Sequence, residues 1–437
     1  MSRTAARPAR VPLFSSIAFT VVALALAVGA YVIAGYGKRG RLPATFILYA
    51  TIFAVGFVVV MIVIRRFAPS ADPALFPTAG VLVGLGFAVI FRLSGGLAAE
   101  QITWIVVGLL AFSATLLIVR DNRMLDAYTY TIGLLGLILL MLPLVPGIGR
   151  TINGARLWVQ IGPLGFQPAE IGKVLVVIFL ASYLNQRREL LQVATSRIGP
   201  LRLPPAKHLA PVLVAWAASL VVLFAQRDLG ASLLYFGIFV VMLWIATGRF
   251  AYLVLGFVLF AIGAYAGWVM FDHVQLRVDV WLNALDPQKV FDVGYGQLAQ
   301  AQFGMATGGI VGAGLGQGSP DLVPFAATDF IFAAIGEELG LLGTTAVLLL
   351  YVVLVGKGLR IALESRDGFA QLLAAGLATL IGLQTFVIVG GVTRVIPLTG
   401  VTLPFVSYGG SSLVSNFVLL ALLVRISSGP APHRGAI

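Results

Sequence analysis

The chain has 437 residues, 59% of them hydrophobic and only 11% charged, with a net charge of +12, where a soluble chain carries about 25% charged residues. That balance excludes an ordinary water-soluble globular protein. The absence of cysteine excludes disulfides and thiolate chemistry, and three scattered histidines argue against a zinc site.

Apolar runs of about 20 residues recur from end to end, which predicts an all-α polytopic membrane protein. The predicted spans are 12–34, 45–64, 74–92, 101–119, 126–147, 169–185, 209–225, 230–247, 250–270, 329–355, 368–390 and 404–424. About twelve transmembrane helices place both termini on one side. The first run follows a basic stretch, MSRTAARPARVPLF, without a clear cleavage site, and reads as a retained helix. With the termini inside, 18 Lys and Arg and six acids face inward, so the whole net +12 lies on that side. The high basicity thus reads as orientation and anionic-lipid contact, with no nucleic acid implied. Lys38, Arg39 and Arg41 break this rule in the first outer loop.

In chain order, the outer segment 148–168 carries Arg156 and Trp158 just ahead of a span. Glu170 and Lys173 open that span at i, i+3, close enough to pair. The alternative is that Lys173 faces an anion, with Glu170 orienting it. Asp228 sits in a sharp outer turn, QRDLG, where a surface ion pair is the plain expectation. The outer loop 271–328 begins with a helical pattern, Val274, Val278, Trp281 and Leu285, that suits a helix on the outer membrane face. It also carries Arg277, then turns glycine-rich. GAGLGQG lacks the βαβ setting of a dinucleotide site.

PFAATDFIFAAIGEELG, residues 324–340, sets three acids in an apolar context. Asp329 with Thr328 reads either as a helix N-terminus or as a carboxylate at the mouth of a cavity, with Gly336 leaving space below. Glu337 and Glu338 lie roughly 12 Å deeper, where pairing with a cation is the expected role. GGVTRVIPLTGVTLPFVSYGGSS, residues 390–412, interrupts a membrane segment with two prolines and five glycines and holds Arg394. Broken backbone at that depth needs protein or a wet cavity around it. Carboxylates and cations gathered at a membrane surface suit handling of a phosphorylated lipid. They also suit a proton-coupled transporter.

NGARLW, FQPAEIGK, DLG, GYGQLAQAQ, TDFIFAAIGEELG and PLTGVTLPFVSYGGSS occur in an order that resembles the SEDS family (shape, elongation, division and sporulation; the RodA/FtsW/SpoVE group) over roughly residues 100–425. The resemblance implies a peptidoglycan glycosyltransferase that polymerises lipid II at the outer face of the bacterial plasma membrane and releases undecaprenyl diphosphate. It implies a multi-pass chain with both termini cytoplasmic and a class B penicillin-binding protein as transpeptidase partner. Familiar members have ten spans, so residues 1–70 read as an added pair before a core of 71–437 that includes loop 271–328.

The family's essential acid matches Asp329, which would take the proton of the acceptor hydroxyl. Its PxExxK segment matches Pro168, Glu170 and Lys173, and Arg156, Arg277 and Arg394 join these as candidate substrate-binding cations. A divalent cation, Mg or Mn, is implied, with no protein ligand identified. Four positions depart from the pattern: Ala327 stands where relatives often have histidine, Arg227 for proline, Ile388 for asparagine and Arg394 for glycine. The late motif resembles the RodA-type branch of actinobacteria, which implies elongation and cell shape rather than division. A lipid II flippase is the competing expectation.

Overall fold

The computed structural model describes residues 12–429, except 153–154, 162–163, 193–195, 199–200, 293 and most of 204–227. The span predicted at 209–225 lies outside the described residues. Among those described, ten helices are long and apolar enough to cross a membrane, as the hydropathy pattern requires.

Helices α1 (Leu13–Arg39), α2 (Phe46–Phe67), α3 (Leu75–Leu93) and α4 (Gly95–Ile118) match the first four predicted spans. Gly40 ends α1 in the left-handed region (φ 64°) with its N–H on the Tyr36 carbonyl. Ser94 caps α4 by accepting from the Leu97 N–H. The predicted span 126–147 is broken: α5 (Arg123–Ala127) precedes α6 (Thr129–Met141), which runs into a 3-10 turn at Leu142–Leu144. Pro143 lacks the N–H that would continue the α-helix.

The outer segment then folds as an antiparallel sheet, β1 (Gly149–Ile152), β2 (Ala155–Ile161) and β3 (Leu164–Phe166), with Arg150 opposite Trp158 and Val159 opposite Phe166. After α7 (Pro168–Gln192), β4 (Ser196–Ile198) and β5 (Leu201–Leu203) form a hairpin. The fold is therefore helical with two small sheets. The chain continues through α8 (Leu229–Thr247), α9 (Phe250–Met270), α10 (Asp272–Asn283), α11 (Tyr295–Gly308), α12 (Ile331–Glu364), α13 (Gly368–Val392) and α14 (Gly410–Ser427).

Helices α3, α8, α13 and α14 bury most of their faces and form the centre. Helices α1, α2 and α9 keep an exposed apolar side, with Val22, Ile62 and Phe257 outward, as hydrocarbon contact demands. The first pair is nonetheless packed firmly on α3. Tyr31 meets Phe91 and Phe87 at ring distances of 4.8 and 5.5 Å, and Phe57 meets Phe76 at 5.2 Å. Lys38, one of the outer cations that broke the charge rule, donates to the Arg92 carbonyl near the end of α3 at 2.5 Å. A cation there complements a helix C-terminus.

At the opposite end of the bundle, buried Arg425 donates to the carbonyls of Phe67 (2.6 Å) and Leu116 (2.7 Å), tying α14 to the ends of α2 and α4. Lys357 pairs with Asp72 at 2.7 Å, joining α12 to the turn before α3.

The 34-residue α12 is not one continuous helix. Gly340 takes φ 66°, ψ −164°, outside helical space. The backbone groups freed at this break are taken up by the glycine-rich segment that follows α11. Ala313 N–H donates to Glu337 O and Gly314 N–H to Glu338 O, each at 2.9 Å. Leu341 and Leu342 N–H donate to the carbonyls of Gly309 (2.9 Å) and Ile310 (3.0 Å). Only glycine permits this approach: a Cβ on Gly340 would lie 2.5 Å from the Ile310 oxygen. Glu337 and Glu338 therefore sit at a break filled by the loop. Glu338 pairs with Arg92 at 3.0 Å, as expected of a buried acid, and Glu337 accepts from the Ser319 N–H at 2.6 Å. Gly336 does not open a space, since a Cβ there would lie 2.9 Å from the Met305 side chain.

Replacing Gly340 with alanine forces a side chain into this junction and into a positive φ, which costs about 1–3 kcal/mol. Thermal unfolding in detergent will show Gly340→Ala clearly destabilised. Gly356→Ala, on the same helix with nothing within 4 Å of its Cβ, will match the wild type or gain up to about 1 kcal/mol.

Candidate active site

Asp329 does not lie within α12. The helix begins at Ile331, and the position before it, Phe330, offers no side-chain cap. The Thr328 hydroxyl turns back to the Phe325 carbonyl at 3.2 Å instead of capping the helix. Phe325 itself holds a positive φ of 58°, a conformation that bulky residues adopt only when the surroundings impose it. A side-chain N-cap at Thr328 is therefore set aside, while Asp329 stays just ahead of the first turn of α12.

The late broken segment holds this turn from beneath. Ser407 donates to the Thr328 carbonyl at 2.7 Å and accepts from the Leu403 N–H at 2.9 Å. The Tyr408 N–H donates to the Ala327 carbonyl at 2.8 Å. Position 327, where relatives often carry histidine, is thus a buried alanine whose backbone is already engaged.

Across from Asp329 stands Arg277 on α10. Gly400, at φ 78°, separates them: a Cβ there would lie 3.7 Å from Asp329 Oδ2 and 3.8 Å from both terminal Arg277 nitrogens. The missing side chain leaves a space bordered by a carboxylate and a guanidinium. Arg277 donates to the Leu398 carbonyl at 2.8 Å, and the adjacent Thr399 hydroxyl is buried without a hydrogen-bond partner. A buried polar atom of this kind is costly unless something else satisfies it.

Asp228 completes the group. Its side chain accepts from the Ala231 N–H at 2.9 Å and caps α8. Burial pushes its carboxyl above the usual range, with Arg277 among the groups opposing this and Glu170 adding to it. Glu170 pairs with Lys173 at 2.5 Å, and the buried Lys173 also donates to Gln384 at 2.8 Å. Gln384 donates in turn to the Thr402 carbonyl at 2.8 Å. Of the two readings of the Glu170–Lys173 pair, the self-neutralising one describes the contact seen.

Burial raises the half-buried Asp329 carboxyl to about 6, against the opposing pull of Arg277 and the Thr328 hydroxyl; Asp228 adds a smaller upward push. Burial lowers the Arg277 pKa, and its two acidic neighbours resist that shift.

Arg394 and Arg156 stand apart from this cluster. Arg394 (φ 61°) donates to the carbonyls of Trp281 (3.1 and 3.2 Å) and Leu282 (3.1 Å) at the end of α10. The Trp281 indole returns a bond to the Arg394 carbonyl at 2.9 Å. Arg156 lies on β2 and donates to the Val145 carbonyl at 3.1 Å. The predicted apolar stripe of α10 is also displaced. Val274, Val280 and Ala284 are buried and Leu285 is exposed, because the polar tips of Arg277 and Trp281 draw that face onto 394–398. Sequence reasoning missed Gln384, Thr399, Ser407 and Tyr408. All but Gln384 lie in the late motif, where Arg394 is the one residue singled out by sequence. Arg227 lies outside the described residues.

The family model described as "Cell cycle protein", FTSW_RODA_SPOVE, matches residues 74–430. The chain belongs to this FtsW/RodA/SpoVE family. It is 45% identical over 393 residues to the peptidoglycan glycosyltransferase RodA of Mycobacterium tuberculosis, covering 87% of this chain and 83% of that protein. It is 35% identical over 294 residues to the stage V sporulation protein E of Bacillus subtilis, covering 66% and 76%. A structure titled "Structural coordination of polymerization and crosslinking by a peptidoglycan synthase complex" matches with a TM-score of 0.67 at 29% identity, over 83% of this chain and 99% of that one. The Thermus thermophilus rod shape determining protein RodA matches with a TM-score of 0.58 at 26% identity, over 83% and 98%. FtsW/RodA/SpoVE membership and the apolar helices together make this a multi-pass membrane protein.

Because the folded pKa of Asp329, about 6, lies above its ordinary 3.8, the folded state favours the protonated acid. Stability tied to this group is full at low pH, falls as pH rises from about 4 to 6, and is then constant. Asp329→Asn removes that loss. Its melting temperature will exceed the wild type's at pH 7.5, and the gap will narrow at pH 4.5.

Proposed function

We propose that the protein is a peptidoglycan glycosyltransferase that polymerises lipid II for cell elongation, with Asp329 as general base. The observation that carries this reading is the space at Gly400 between the Asp329 carboxylate and the Arg277 guanidinium. A base and a cation on either side of one small volume suit a hydroxyl attacking a carbon that bears a diphosphate. Asp329 takes the proton of the acceptor sugar hydroxyl. The freed oxygen pair attacks the anomeric carbon of the donor. The bond from that carbon to the diphosphate oxygen breaks, and undecaprenyl diphosphate leaves with the electron pair. The proton then passes from Asp329 to water. A base with a pKa near 6 is largely ionised at neutral pH and keeps useful proton affinity.

Arg277 meets the growing charge on the leaving diphosphate, since guanidinium groups match phosphate oxygens in a fork. Lys173 is engaged by Glu170 and Gln384, so it sets the local potential and orients the wall of the cavity. Arg394 serves by fixing the end of α10 and hence Arg277. Arg156, on β2 and bonded to the Val145 carbonyl, is a candidate contact for the lipid headgroup outside the cluster. The charge asymmetry of the loops supports a site on the outer side of the plasma membrane with both termini in the cytoplasm.

The divalent ion implied by family resemblance finds no matching donor set. Among the described residues no three His, Cys, Asp or Glu gather as ligands. Asp228 caps a helix and Glu170 is paired, so Asp329 stands alone beside a guanidinium, and no step is routed through a metal. For a partner, a class B penicillin-binding protein fits, given the likeness to a synthase complex that coordinates polymerization with crosslinking.

Purified protein supplied with lipid II, with and without its transpeptidase partner, will form glycan chains. Asp329→Asn will lower the rate by about 100-fold or more while its melting transition persists. The wild-type rate will climb through pH 6 and level off above it. A folded Asp329→Asn protein that still lengthens chains would remove the catalytic assignment. Transport of labelled lipid II across vesicles without chain growth would favour a flippase.

A further inference from the structure

We propose that α1 is a positioning element for the reaction: its last turn, at Gly37 and Lys38, clamps the glycine-rich segment that leads into Asp329. Helix α1 lies outside the residues matched by the family, 74–430. The solved relatives are matched over 98–99% of their own lengths but only 83% of this chain. A membrane anchor needs only an apolar surface. The C-terminal turn of α1 has instead a fitted contact with the loop.

A Cβ on Gly37 would strike the Leu315 carbonyl oxygen and lie 3.2 Å from Gly316 Cα. In return, Gly316 (φ 83°) brings its backbone so close that a Cβ there would be 2.7 Å from the Ala34 oxygen and 2.8 Å from the Lys38 nitrogen. These are backbone against backbone, with no flexible side chain to yield. Lys38 donates to the carbonyl of Arg92, whose guanidinium donates to the Gly318 carbonyl at 2.6 Å and pairs with Glu338 at 3.0 Å. Glu337 then fixes the Ser319 N–H. Ten residues further on is Asp329. The start of this segment is therefore held by α1, α3 and the α12 break, and its end by Ser407 and Tyr408. Losing the first anchor lets the segment carrying the base drift, and a displacement of about 1 Å can cost about 100-fold in rate.

This inference rests on Asp329 being the reactive carboxylate, so the test reads docking and chemistry separately. The full-length protein carries Gly37→Val, or Gly29→Val as the matched control, since a Cβ on Gly29 meets nothing within 4 Å. The chain has no cysteine, so Leu322→Cys, at a site 69% exposed, takes a single spin label. Gly37→Val will lower kcat on lipid II about tenfold or more, with KM within about twofold, and the label will become mobile. Gly29→Val will match the wild type in both. Lys38→Ala will act in the same direction as Gly37→Val, with Lys38→Arg restoring function, and this pair decides the matter if Gly37→Val does not fold.

Wild-type kcat in Gly37→Val, or an equal loss in Gly29→Val, overturns the proposal. So does a mobile label without a change in kcat. Persistent activity in Asp329→Asn with a restrained label overturns the catalytic assignment instead.

Discussion

Backbone groups freed inside a membrane helix have to be paired, because hydrocarbon offers no water to replace the lost bonds. At Gly340 the chain breaks α12, and the glycine-rich segment at 309–314 supplies the partners. Much else follows from this one repair. It welds the loop to the bundle, explains why Gly312 and Gly340 take positive φ, and sets the start of the stretch that ends at Asp329. Two acids at the break, Glu337 and Glu338, are consumed in the same joint, one by a backbone amide and one by Arg92.

The electrostatics of the cavity rest on unequal partnering. Asp228 is used as a helix cap, Glu170 is neutralised by Lys173, and Asp329 keeps only an indirect guanidinium and a neighbouring hydroxyl. Similar carboxylates on neighbouring elements thus have different partners. Environment divides the roles, as in other enzymes that separate acids from bases by burial and neighbours.

The transmembrane architecture could be read from hydropathy because each span must satisfy its own backbone, and ten of the predicted runs are helices of spanning length. The break at Gly340 could not be read so, since a glycine in an apolar run carries no record of its φ. The sheet at 149–166 was invisible for a related reason: its strands are short and their pairing is set by turns, not by a strong alternation. Asp329 and the Glu170–Lys173 pair stood out as charges in apolar settings, and motif resemblance added weight to them. Arg277 was one of several cations until α10 was placed, whereas Arg394 proved to be occupied by carbonyls of that helix. Lys38 ran against the charge rule because a helix end nearby gave it a specific use.

The brevity of α6 bears on the thickness of the membrane around the start of α7. With its 3-10 extension it covers only Thr129–Leu144, roughly 24 Å of helix beside a hydrocarbon layer near 30 Å thick. It packs along α7, the helix whose first two turns bear Glu170 and Lys173. A hydrophobic stretch shorter than the hydrocarbon layer is accommodated by local thinning of the bilayer, which leaves less oil beside the polar start of α7.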